Sequence, residues 1–267
     1  MTMTRGVGLD SFDLQFTTVV TGTAGTPSYG IVGLNTFNMS NAAYTGTYDS
    51  SAATWATGAS SSGGSIASNA AYNLASNVSI GGVVYYSTAS APSGTSYNSG
   101  KTKMSGSIAT PSTPSAGSYT SSNSNPSIGL PTSGANANYS GGSMSVGGGN
   151  YVLSSCSVSG ATIQFTGPAT IWMYGGMNLN NATFLAYQNK PTNLQIKFCQ
   201  SAGFNLTNST VYGVVTAPTG SSNINGGSRL VGSIVVQDLS VDGSSIYYDS
   251  QLGTNGAGTS AGSAVVQ

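Results

Sequence analysis

Few side chains in this 267-residue chain could carry chemistry. Its six acidic residues are all Asp, it has six Lys or Arg, and it has neither His nor Glu. Without imidazole there is no His-based triad, no His-ligated metal and no switch near neutral pH. The nearest thing to a reactive cluster is Asp238, Asp242 and Asp249 with Arg229. Glycosidic chemistry needs at least a pair of carboxyl groups set for different roles, and calcium needs about six oxygens or more. Asp242 stands where equivalent segments carry Ser, Asn or Thr, so it reads as a turn residue. The expectation is therefore no enzyme, no metal and no cofactor. Alternation within the flanking segments turns Cys156 inward and Cys199 outward, which favours two separate thiols over a disulfide.

Composition narrows the class further. Only 4% of the residues are charged and the net charge is zero, against about 25% charged in an average soluble protein. Six scattered cations cannot form the basic stripe that nucleic acid requires. No run approaches the roughly 20 apolar residues of a membrane span. The opening Met-Thr-Met-Thr-Arg-Gly has no apolar core of a signal peptide, so a leader is expected to precede it, unless the chain is phage-encoded and needs none. Disordered chains combine low hydrophobicity with high charge. Here 38% of residues are hydrophobic, so a turn-rich β-protein is expected, ordered to both termini.

A repeat organises the C-terminal half. Segments 157–163, 178–184, 205–211, 223–229 and 240–246 share the order polar, apolar, small polar, Gly or Asn, small, Ser or Thr, then usually apolar. The first apolar position is filled by Val158, Leu179, Leu206, Ile224 and Val241. The corner is predicted at Gly160, Asn181, Asn208, Gly226 and Gly243, because Gly and Asn enter left-handed backbone at little cost. Variable spacing near 20 residues suits the coils of a parallel β-solenoid, from which loops of differing length leave at corners. The five apolar residues should stack about 4.8 Å apart. β-rich stretches such as 170–174, 194–198, 212–215 and 232–236 then supply another strand of each coil.

The N-terminal half echoes this pattern. Ser40-Asn41-Ala42-Ala43-Tyr44 recurs as 68–72, and Gly82-Val83-Val84 resembles Gly213-Val214-Val215. Three regions follow: 1–86 as an N-terminal strand and opening coils, 87–149 as low-complexity irregular coils or an excursion along the solenoid, and 150–267 as regular coils.

Tyr212-Gly213-Val214-Val215-Thr216-Ala217-Pro218, Gly232-Ser233-Ile234-Val235-Val236 and Ile246-Tyr247-Tyr248-Asp249 resemble a solenoid domain of unknown function in bacterial surface proteins. The segments 47–50 and 76–82 are similar to that family's opening coils. Such domains often follow a PilX-like pilus-assembly N-terminus, whose hydrophobic helix is missing here. The resemblance implies a secreted, surface-associated, right-handed parallel β-helix without known catalysis.

Function is then expected to be structural. A solenoid has two ends that expose apolar columns, and monomeric solenoids cap them with polar elements. No charged, helical cap is legible at either terminus. Ser11–Thr17 instead alternates strictly, with Phe12, Leu14 and Phe16 on one face, and Val265 and Val266 make the C-terminus apolar. These residues are the expected contacts for head-to-tail assembly with copies of the same chain, in an extracellular or cell-surface filament or layer. The alternative is a surface adhesin or glycan-binding β-helix, including a phage fibre or an ice binder, with the numerous Tyr residues meeting a glycan.

Overall fold

The computed structural model describes residues 30–52, 55–70, 72–87, 91–92 and 96–255. It is an all-β parallel β-helix with three faces. On the first face Asn136–Ser140, Ser155–Ser159, Met177–Asn180 and Gly203–Thr207 stack in parallel, followed by residues 221–225, 238–242 and 36–40 and then Tyr72–Leu74. Val158, Leu179, Leu206, Ile224 and Val241 stand in register in one column, which runs on through Met39 to Leu74. The second face carries the column Met144, Ile163, Phe184, Val211, Leu230 and Ile246. The third carries Tyr151, Ile171, Ile196, Val215, Ile234, Ile31, Ile66 and Val84. Alternate residues point into the coil, so one apolar residue in two suffices to fill the interior.

The first face turns into the second at left-handed residues. Gly160, Asn181, Asn208, Gly226 and Gly243 have φ of 62°, 49°, 47°, 67° and 55°. Just past the corner a buried serine ladder takes up the backbone donors. Ser209, Ser228 and Ser244 each accept through Oγ the amide proton of the coil below and donate to a carbonyl two or three residues back. A corner cannot continue the strand ladder, and a small hydroxyl satisfies donor and acceptor in its place. One detail departs from the sequence pattern. The fourth repeat holds two glycines, Gly226 and Gly227, so Leu230 fills the inward position and Arg229 points outward in register with Thr210.

The path of the chain differs from a simple spiral. Residues 136–249 build coil upon coil, and residues 31–48 then continue the same stack, pairing with 234–249 on one side and with 66–80 on the other. The coils run on to Lys101–Lys103. First and last coils are therefore neighbours in the middle of the stack. Among the described residues the two ends of the stack are formed by residues 136–146 and 101–103, not by the first and last described coils.

Residues 104–135 return from one end to the other along the outside of the third face. Met104 and Ile108 cover the outward residues Val32, Leu34, Ala67 and Val235. The Asn69 amide exchanges hydrogen bonds of 2.9 and 2.6 Å with the Ile108 backbone. Tyr119 stacks on Trp172 at 5.9 Å, while Lys197 lies 5.0 Å from the same indole centroid. Asn125, fully buried, accepts from Val152 N and donates to Val152 O. Prolines 111, 114, 126 and 131 lack the amide proton a ladder needs, which explains why this stretch lies over a sheet instead of joining one.

The identical pentapeptides occupy different corners. Ser40–Tyr44 turns from the first face to the second through Asn41, with φ of 53°. Ser68–Tyr72 instead turns from the third face to the first, and Asn69 spends its side chain on residue 108. Gly82-Val83-Val84 and Gly213-Val214-Val215 do share a face, with Val84 and Val215 in one column.

Candidate functional site

The four aspartates within the described residues do not converge on a cleft. They staple the last coil to the first. Asp238 accepts from Asn35 and Thr36 at 3.0 and 2.9 Å. Asp242 accepts from Ser40 and Asn41. Asp249 accepts the Ser50 and Gln251 amides at 3.1 and 3.2 Å. Asp49 accepts from Ser51 and from Gln251, the latter at 2.9 Å. Asp238 and Asp242 stand on the first face and Asp249 on the second, so the sequence cluster is a seam. Burial pushes the Asp249 carboxyl above the usual range, partly offset by the Ser50 and Gln251 donors, and its Oδ2 has no partner. Exposed Asp49 is held below that range by Ser51. Cys156 is buried and its thiol is pushed up to about 12 by desolvation, whereas Cys199 is half-buried; both are free.

The outward side of the first face is a polar plane. Asn138, Ser157, Asn178, Asn205, Asn223, Ser240, Asn38 and Asn73 form one row across the coils. Asn205 donates to Asn178 at 2.8 Å and Asn223 to Asn205 at 3.1 Å, so the amides form a ladder.

On the second face, beside the seam, aromatic rings gather around Arg229. Trp55, on a short helix that follows Tyr48, stacks on Tyr48 at 5.2 Å and meets Tyr247 and Tyr212 edge-on at 4.9 and 6.3 Å. The Arg229 guanidinium lies 4.5 Å from the Trp55 centroid. Burial raises the Tyr212 and Tyr247 hydroxyls above their ordinary value, an effect that the nearby Arg229 charge opposes. Sequence reasoning missed this group, because Trp55 and Arg229 are far apart in the chain and meet only where the first coil covers the last.

The two ends differ. At one, Asn136–Ser140 and Ser143–Val146 pair with 155–159 and 162–165 on one side, and no described strand pairs with the other. Ala137, Tyr139 and Met144 are only half-buried there, as the last members of their inward columns. The neighbouring third-face edge is closed, since Ser124 N donates to Asn150 O and Asn125 engages Val152. The other end carries exposed Lys101 and Lys103 on its last strand. Phe12, Leu14, Phe16, Val265 and Val266 lie outside the described residues. No described helix is long and apolar enough to cross a membrane.

Residues 132–255 match the family model of a domain of unknown function, DUF7305. The matched segment is the C-terminal run of coils, from the uncharged end to the seam, and coils 31–103 extend the same columns beyond it. No curated protein and no solved structure matches the chain.

Proposed function

We propose that this chain is a non-catalytic structural protein of the bacterial cell surface that assembles with copies of itself. The resemblance of residues 212–218, 232–236 and 246–249 to solenoid domains of surface proteins supports the location. The observation that carries the assembly reading is the end at residues 136–146. It is an uncharged strand edge whose apolar columns stop half-covered at Ala137, Tyr139 and Met144. Unpaired edges of this kind pair with other chains unless charge, proline or a covering element prevents it. The third-face edge of the same end does have such a cover, in Asn125. Head-to-tail contact sets this edge on Tyr72–Leu74 and Ser96–Tyr97, the last first- and second-face strands of the other end, whereas Lys101 and Lys103 stand on its third face, and it grows without closing.

The alternating sequence at Phe12, Leu14 and Phe16 is assigned a further contact in this proposal. Gly30 leaves from mid-stack, five strand steps or about 24 Å from the third-face strand at 149–153. Thirteen residue steps separate Thr17 from Gly30 and can span about 43 Å, which exceeds that distance. Electron microscopy and sedimentation of the intact chain test the reading. Growing filaments are expected, and Asn138→Lys with Ser145→Lys, both at exposed positions, should leave the coil folded but stop growth. A monodisperse monomer at high concentration would overturn it, and a dimer that does not grow would replace head-to-tail contact by a two-fold one.

A further inference from the structure

The guanidinium of Arg229 is unusually placed for a chain with so few charges. Its Nε is buried without an acceptor, and no described residue gives the side chain an ion pair or hydrogen bond. The four described aspartates are occupied along the seam. The guanidinium carbon lies over the Trp55 ring, 4.5 Å from its centroid, and the residue is partly exposed. A cation held over an aromatic ring keeps its charge while its N–H groups remain free to donate to a carboxylate or sulfate group. Trp55 and Tyr212, also partly exposed, add aromatic surface beside the guanidinium.

The surroundings indicate what would carry the anion. Away from the seam, the outward row that contains Arg229 continues as Thr210, Thr183 and Thr162, each partly exposed. Successive hydroxyls are about 4.8 Å apart, one per coil. A free inorganic anion has no use for such a row, whereas a linear polymer with repeating hydroxyls does. Nucleic acid does not suit a single cation, since affinity for it grows with the number of phosphates neutralised. We infer that Arg229, Trp55 and the threonine row form a binding site for an acidic polysaccharide, in which the guanidinium takes a sugar carboxylate or sulfate and the row takes the following hydroxyls. This site is independent of the assembly edge at residues 136–146.

The chain has two tryptophans, so Trp172→Phe leaves Trp55 as the only indole reporter. That protein is titrated with a galacturonate hexamer, a heparin-derived hexasaccharide, cellohexaose and sodium sulfate, and Trp55 emission is followed. Saturable change is expected with one or both acidic oligomers, and the tighter of the two assigns carboxylate or sulfate. Arg229→Gln should weaken that binding by about tenfold or more, as expected for loss of a hydrogen-bonded charged partner. Arg229→Lys keeps the charge beside the rings but not the fork, and should fall between. Circular dichroism checks the fold of each variant. Equal binding of cellohexaose, equal binding of sodium sulfate, no saturable change with either acidic oligomer, or unchanged affinity in folded Arg229→Gln would each overturn the site. The unsubstituted Arg229 protein decides the first three by itself.

Discussion

Truncating one residue of the interior column tests whether the column holds the coil together. Leu206 is fully buried between Leu179 and Ile224. Leu206→Ala removes three carbons, about 2.4 kcal/mol at roughly 0.8 kcal/mol each. The residual cavity adds to this, and buried Leu→Ala changes range over about 2.7–5 kcal/mol according to how far the site collapses. Collapse is limited here, because the backbone ladder holds the strands about 4.8 Å apart. A loss of about 4 kcal/mol is expected in urea unfolding followed by tryptophan emission, whereas Thr207→Ala, next in the chain and facing outward, should stay within about 0.5 kcal/mol. Leu206→Asp adds a pH signature. Its carboxyl would be buried without a partner, so its folded pKa would rise above the unfolded value of about 3.9. Below that value both states are neutral and no pH-dependent penalty applies. Above it the unfolded chain releases the proton first, so stability falls by about 1.4 kcal/mol per pH unit until the folded pKa is passed. A Leu206→Ala cost under about 1 kcal/mol, or one equal to Thr207→Ala, would refute the column as the source of stability.

Asn208→Ala should cost about 1–2 kcal/mol, because alanine resists the left-handed φ of 47°, while Asn208→Gly should be nearly neutral; thermal unfolding of both variants checks this. Asp249 has a raised folded pKa, so its share of stability is fully present below about pH 4 and is lost as pH rises through the folded value. The midpoint of unfolding should accordingly rise as pH falls from 7 towards 4, with a smaller slope in Asp249→Asn; equal slopes would show that the carboxyl is not perturbed. Asp242→Asn should change stability little, because its Oδ1 can still accept from Ser40 and Asn41, whereas Asp242→Ala should loosen the seam by about 1–3 kcal/mol in the same unfolding measurement. A calcium-dependent rise in melting temperature that Asp242→Asn abolishes would instead make Asp242 a metal ligand. Deletion of residues 1–17 should shorten or abolish filaments seen by electron microscopy, and filaments unchanged by it would remove the N-terminal strand from the contact.

The parallel coil was legible in the sequence because each of its rules is local. An inward apolar residue at every second position and a Gly or Asn where the backbone must turn left-handed are requirements that one coil imposes on its own residues. Val158, Leu179, Leu206, Ile224 and Val241 therefore stand out by the residue pattern of their own segments. The same locality misleads where residues are added or re-used. Gly227 shifts the fourth repeat so that Arg229 faces out, and Ser-Asn-Ala-Ala-Tyr forms two different corners, since five residues do not encode which face they join. The order of the coils lies beyond local pattern altogether. Stacked coils of one register accept any neighbour with matching columns, so nothing in residues 31–48 states that 234–249 lie beneath them. Only the tertiary structure decides that the first coil continues the last, with residues 104–135 closing the path outside. That choice turns Asp238, Asp242 and Asp249 into a seam, sets the first and last described coils side by side in mid-stack, and brings Trp55 over Arg229.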